Sequence, residues 1–315
     1  MKKNRELHGL HAGDIDHNFE AMVAEETVEL LDACAQTDDP FFIWTNFWGP
    51  HSPCIVPEPY YSMYDPKSIP EDPSFCDTLE KRPFAQTLVS RYWGIDPNNW
   101  GEWQELVARY WGYMTMIDDL VGRMLTKLDA TGLLENTLVV FSTDHGDNMG
   151  AHKLFEKGPF FDEECFRLPF IAAHPNCERP GAECDEFIYL QDLFPSFLEA
   201  AGLQLHAQPD TQSILPLLTG RDEATGRDSA YCQFTGQIQT HKSRMVRTHT
   251  HKFVFSQSDI GELYDLEDDP HELNNLYGLA EHKVLQESLM KLMQSHMERV
   301  KDPMLGEFMR VRYIY

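Results

Sequence analysis

Apolar residues recur at helical spacing between Trp103 and Ala130, at Leu106, Tyr110, Tyr113, Ile117, Val121, Met124 and Leu128, and Gly132 follows. That period, closed by a glycine, predicts an amphipathic helix with a defined end. An earlier apolar face, Phe19, Met22, Val23, Val28, Leu31 and Cys34, predicts another helix, with Asp14 or Asp16 as its cap. Pro40 ends that region, and the continuous apolar run "FFIWTNF" (41–47) has the length of a buried strand. A proline-punctuated loop comes next, and residues 65–100 hold no sustained period, which predicts a long surface excursion.

Two further runs, "NTLVVFS" (136–142) and "LPFIAA" (168–173), read as buried strands, and "IYLQDLFPSFLEAAG" (188–202) as a helix ended by Gly202. Strands alternating with helices predict an α/β fold with a mainly parallel central sheet flanked by helices. After about residue 228 the texture changes. "AYCQFTG", "SRMVRTHTHKFVFS" and "GELYDLE" are short β-like runs, and "DDPHELNNLY" predicts the start of a terminal helix with Asp269 at the cap and Pro270 in the first turn. The expected organisation is therefore an α/β core over 1–227 and a small C-terminal subdomain, antiparallel sheet plus helix, over 228–315.

Charge narrows the partners. With 51 acidic against 26 basic residues the net charge is −25, a field that repels polyanions and argues against nucleic acid. A small anion would need local cations. No run of 18 apolar residues occurs, so no membrane-spanning helix is expected. The opening "MKKNRELHGLHAGDIDHNFEAMV" is basic but lacks a following apolar segment, unlike a signal peptide. Seven scattered cysteines form no C-x-x-C pair; Cys177 and Cys184 have the only spacing that hints at a local bridge.

Candidate chemistry gathers where strand 136–142 ends. Asp144, His145 and Gly146 follow at once, and ligands in open α/β sheets collect at the carboxyl ends of strands. A carboxylate beside an imidazole can ligate Ca²⁺, Mg²⁺ or Mn²⁺, although two ligands alone do not hold a metal and a lone Asp-His-Gly is also a common turn. Lys157, before Gly158 and Pro159, is a point charge suited to an anion, or an ordinary solvated lysine. His51 follows the run 41–47 and could donate a proton to a leaving group, or be a loop residue. The tryptophans of "WGIDPNNWGEW" (93–103) could stack on a sugar or aryl ring, but more often such residues pack.

The order of these motifs resembles the sulfatase family of the alkaline-phosphatase-like superfamily. The resemblance is carried by "YWGYMTMIDDLVGRMLTKLDATGLLENTLVVFSTDHGDNMGAHKLFEKGPFFDEECFRLPFIAAHP", by "FFIWTNFWGPHSP", and by "YLQDLFPSFLEAAGL", "SILPLLTG" and "MVRTHTHKFVFS…GELYDLEDDPHELNNL". It implies that Asp144 and His145 are metal ligands, with Ca²⁺ the expected ion, and that Lys157 and His51 contact a sulfate group. His152 falls in the family's Gly-x-His element.

The family's nucleophile is a cysteine, or sometimes a serine, in a C-x-P-x-R segment, converted to formylglycine. None of the seven cysteines has that context, and Ser68-Ile69-Pro70 has Asp72 where the arginine would stand. No early strand carries the further acidic metal ligands. The resemblance thus implies the equivalent of the C-terminal two-thirds of a sulfatase, with little or no turnover expected from this chain alone and an N-terminal segment as a partner. The implied substrate is an aryl or carbohydrate sulfate ester. Alternatives are a phosphonate monoester or phosphodiester hydrolase of the same superfamily, and a non-catalytic remnant that binds anions or a protein partner.

Overall fold

A computed structural model describes residues 7–204, 210–220 and 226–312, apart from residue 238. In chain order the strands and α-helices are β1 (His8–Leu10), α1 (Phe19–Cys34), β2 (Cys54–Val56), α2 (Phe84–Val89), α3 (Trp100–Ala130), β3 (Val139–Ser142), α4 (Glu163–Phe166), β4 (Phe170–Ala173), α5 (Leu193–Ala200), α6 (Leu215–Leu218), β5 (Ser229–Gln237), β6 (Gln239–Thr248), β7 (His251–Ser256), β8 (Glu262–Asp265), α7 (Lys283–Arg299) and α8 (Leu305–Arg312). They form two compact units. One holds the described residues up to Phe75 with Arg91–Val139 and Met149–Glu156; the other holds Cys76–Ser90, Val140–Asn148 and the described residues from Lys157 on.

The first unit is organised by α3, whose predicted stripe turns inward. Trp103, Leu106, Tyr113, Met116, Ile117 and Leu120 are buried against Ala21, Ala24, Cys54, Val56, Phe75 and Phe155, while Tyr110, Val121 and Met124 pack on the cluster's margin. Gly132 stops the helix with φ 75°, a conformation that glycine adopts without strain. β1 and β2 pair in parallel, His8 opposite Cys54.

α1 differs from its predicted face. Its buried side is Glu20, Ala21, Ala24, Thr27 and Leu31, and Phe19 and Met22 point outward. Small alanines let the helix approach α3 closely. Glu20 turns inward because its carboxylate accepts the Tyr113 hydroxyl at 2.6 Å and the Gly49 N–H at 2.8 Å. The cap is Asn18, which accepts Glu20 N–H at 3.0 Å; Asp14 makes no capping bond.

Residues 41–47 also depart from the buried-strand reading. They run outside any assigned strand, with Thr45 bonded to Thr27 at 3.0 Å and Phe47 packed on the core, while Phe42 and Trp44 stand 66% and 59% exposed. Alternate side chains face α1, and only that half is covered. The stretch 65–100, expected on the surface, contributes buried Ile69, Phe75 and Val89. The tryptophans of 93–103 pack: Trp103 is 1% exposed with its indole N–H on the Asp96 carbonyl at 3.1 Å, and Trp93 meets Phe155 edge-on at 5.5 Å.

The second unit contains the predicted antiparallel sheet, in the order β5-β6-β7-β8. The run 243–256 turns back on itself to make both β6 and β7, with Val246 opposite Phe253. α7 and α8 cover one face through Met290, Met293, Met297 and Phe308, which meet Val246, Phe253 and Leu263. No helix starts at Asp269. Its carboxylate instead accepts Leu273 and Asn274 N–H in a turn, Glu272 has φ 53°, and α7 begins only at Lys283.

β3 and β4 pair as a two-stranded sheet and are half-buried, not fully covered; Ile171 is 66% exposed. Cys177 and Cys184 are free thiols and form no bridge with each other. Among the described residues no helix is long and apolar enough to cross a membrane.

Candidate functional site

The turn after β3 is built almost entirely from its own polar atoms. Ser142 at the strand's end donates to the Pro169 carbonyl at 2.9 Å, which ties this end of β3 to the approach to β4. Asp144 accepts the His145 N–H at 3.0 Å, and the Thr143 hydroxyl reaches the His145 carbonyl at 3.0 Å. The Asp144 side chain is 83% exposed and lies 3.6 Å from His145 Nε2.

His145 Nδ1 lies 2.8 Å from the Gly146 carbonyl. A carbonyl only accepts, so Nδ1 carries the hydrogen and Nε2 carries the lone pair. The bond to the Gly146 carbonyl therefore sets the tautomer and leaves the lone pair on Nε2, the nitrogen that lies 3.6 Å from the Asp144 carboxylate. A carboxylate oxygen and an imidazole nitrogen at this separation are chemically suited to ligate one divalent cation between them.

Gly146 follows because nothing larger fits. Its N–H donates to the Cys165 carbonyl at 3.0 Å, and a Cβ at this position would lie 1.8 Å from the Glu164 carbonyl oxygen. The backbone of α4 thus presses directly on the turn.

Lys157 is half-buried and belongs to the same unit. At the next residue, Gly158, a Cβ would come 2.8 Å from the Phe160 ring. The buried Cys165 thiol is pushed up by burial and by the nearby acids Asp162, Asp147 and Glu164, against the Gly158 N–H that bonds to it. Cys165 therefore touches both the Asp144–Gly146 turn, through its carbonyl, and the Lys157–Gly158 backbone, through its side chain.

His51 belongs to the first unit, where its ring lies 5.1 Å from Trp48 and Nδ1 sits 2.8 Å from the Ser52 carbonyl. The same reasoning gives it a lone pair on Nε2. Ser52 in turn donates to Glu156. His152, also in the first unit, is fully buried and donates its N–H to Ser74 at 3.0 Å.

Sequence reasoning missed a set of charges in the second unit that are buried or, at Glu163, half-buried. Lys252, Arg82, Glu163, Asp162, Glu262 and Glu272 come from five separate stretches of chain and meet in ion pairs of 2.7–3.8 Å. Each taken alone looks like a solvated surface residue, so no local signal marks them.

The described fold aligns with a phosphonate monoester hydrolase from Silicibacter pomeroyi at a TM-score of 0.81 and 22% identity, covering 90% of this chain and 60% of that one. The two share one α/β fold. A family profile for sulfatases matches residues 4–203, and one for the C-terminal part of N-sulphoglucosamine sulphohydrolase matches residues 150–299. The chain belongs to the sulfatase family.

Among curated relatives it is 32% identical to an arylsulfatase of Clostridium perfringens over 88% of this chain and 57% of that protein. It is also 32% identical to an N-acetylglucosamine-6-O-sulfatase of Bacteroides thetaiotaomicron, over 59% of this chain and 34% of that one. The chain thus spans between about a third and three-fifths of the length of these relatives.

Proposed function

We propose that this chain carries the metal-pair and anion-binding part of a sulfate-ester hydrolase acting on sulfated carbohydrates. The observation that carries the reading is the Asp144–His145 pair, 3.6 Å apart with the imidazole held in the tautomer a metal ligand needs. Asp144 and His145 would supply two of the ligands of a divalent cation, Ca²⁺ by the family resemblance, which when bound draws electron density from the ester oxygens. Lys157 supplies the point charge that an acidic protein needs locally to attract an anion. His51, with its Nε2 lone pair, is assigned to the leaving-group oxygen, taking or giving a proton there.

Among the 315 residues none stands in a C-x-P-x-R context. The formylglycine chemistry of the family therefore has no precursor here, and the reading assigns binding, not turnover, to the chain by itself. A carbohydrate ester is favoured over an aryl ester because both the second family profile and the Bacteroides relative are named for glucosamine substrates. A phosphonate or phosphodiester substrate is the second reading, favoured by the fold match to the phosphonate monoester hydrolase.

The experiment is a titration of the 315-residue chain, with Ca²⁺ present, by glucosamine 6-sulfate, by unsulfated glucosamine and by methylphosphonate, followed by NMR shift changes. Saturable binding of the sulfated sugar that vanishes in Lys157→Ala is the expected result. Equal shifts with the unsulfated sugar contradict the reading, and a preference for methylphosphonate moves the assignment to the second one.

A further inference from the structure

Three consecutive residues that follow Lys157 by four to six positions are each gripped by a cation. The Lys252 ammonium on β7 donates to the Phe161 carbonyl at 2.7 Å and pairs with Glu163 at 2.8 Å and Glu272 at 2.7 Å. Its three donors meet three acceptors. Arg82 pairs with Asp162 at 3.0 Å and Asp77 at 2.8 Å, and donates to the Glu272 carbonyl at 2.6 Å. Arg247 on β6 reaches Glu163 at 3.0 Å, and the Glu163 N–H returns to the Glu272 carboxylate at 3.1 Å.

Lys252 is fully buried, a placement that ordinarily strips a lysine of its charge. Against that cost, the carboxylates of Glu272 and Glu163 raise its pKa, so it stays an ammonium. Glu163 is correspondingly held down at about 2, where burial is outweighed by Lys252 and Arg247.

Such an arrangement is more than the sheet requires. An apolar residue on β7 would cover the same surface at no desolvation cost. What the charge adds is a direction: all three bonds of Lys252 end on the segment from Phe161 to Glu163 or on the Glu272 carboxylate that braces it. That segment cannot order itself, since α4 is a single turn of four residues. α4 in turn carries Cys165, whose carbonyl accepts the Gly146 N–H.

We propose that Lys252 is a positioning residue for anion recognition. Its ammonium, backed by Arg82, fixes the Phe161–Glu163 backbone, and through it the Lys157 segment on one side and the Asp144–Gly146 turn on the other. The C-terminal sheet is thereby the support of the site and not only a neighbouring module. The inference rests on the assignment of Asp144, His145 and Lys157 as the anion site.

The test uses the 315-residue chain with Ca²⁺ and inorganic sulfate, with affinity read by NMR titration. Lys157→Ala probes the assignment; Lys252→Met probes the inference; Leu263→Ala, a core truncation on β8 outside the clamp, supplies a variant of comparable thermal destabilisation. Sulfate affinity is expected to fall at least tenfold in Lys252→Met and to stay within twofold in Leu263→Ala. Amide exchange is expected to quicken at least tenfold over 157–166 in Lys252→Met but not in Leu263→Ala.

If Lys157→Ala leaves sulfate binding intact, the site assignment fails, and the inference with it. If Lys157→Ala abolishes binding while Lys252→Met matches Leu263→Ala in both measurements, the inference alone is overturned. Glu163→Gln, which keeps Lys252 paired to Glu272, serves if Lys252→Met does not fold, and is expected to give a threefold or larger loss of affinity. No loss in that variant, with normal exchange over 157–166, overturns the proposal equally.

Discussion

The carbonyl of Cys165 accepts the backbone N–H of Gly146 at 3.0 Å, and the Glu164 carbonyl beside it occupies the space where a side chain at position 146 would begin. One backbone contact thus links the Asp144–His145 turn to the segment that also carries Lys157. The glycine is required by this approach and not by its torsion angle.

Gly146→Ala forces the turn away from α4, because the added Cβ would lie 1.8 Å from a main-chain oxygen that no side-chain rotation can relieve. Overpacking of this kind costs roughly 1–3 kcal/mol or more. A lowered thermal midpoint together with weakened divalent-ion binding is expected. An alanine variant with unchanged midpoint and ion binding would show that the contact is not needed.

Glu262 predicts a pH dependence with a definite sign. It is 4% exposed, its pKa is raised from 4.5 to about 7, first by burial, with Asp162 and Glu272 adding to the rise and with Arg82 and the Tyr264 hydroxyl opposing it. A carboxyl with a folded value above its unfolded one binds its proton more tightly in the fold. Its stabilising contribution is complete below about pH 4.5 and is lost as pH rises through about 7. Glu262→Gln keeps the Tyr264 bond without the charge, so at pH 8 it is expected to be the more stable protein by on the order of 2 kcal/mol. Thermal midpoints of both proteins from pH 5 to 8 check this; parallel curves would refute it.

Gly112, in the middle of α3, predicts a reversal of the usual helix rule. Alanine normally gains about 1 kcal/mol over glycine in a helix interior. Here its Cβ would lie 2.2 Å from the Tyr60 carbonyl oxygen. Close approach wins, and Gly112→Ala is expected to lower stability by roughly 1–3 kcal/mol in denaturant unfolding. A gain in stability would mean that the Tyr60 loop yields freely.

Sequence reading captured what is local and periodic. The stripe on α3, its stop at Gly132, the strand that delivers Asp144 and His145 and the C-terminal antiparallel sheet were all legible, because each rests on spacing within one stretch. It failed where long-range partners decide. Phe19 and Met22 are apolar yet outward, since Glu20 is drawn inward by Tyr113 and Gly49. Asp269 with Pro270 has the form of a helix start, but Glu272 is claimed by Lys252 and breaks the turn off. The clamp itself was invisible, because Arg82 and Lys252 lie 170 positions apart and acquire meaning only when their carboxylates arrive.

The most direct test of the central claim is paramagnetic: Mn²⁺ added to the 315-residue chain, with imidazole signals of the 14 histidines followed by NMR. Even weak binding at a two-ligand site broadens the nearest ring first. The account predicts that His145 broadens ahead of the other histidines, that added Ca²⁺ reverses the effect, and that Asp144→Asn removes it. Broadening that spares His145, or that is indifferent to Asp144→Asn, would contradict the assignment of this pair as the metal-binding part of the site.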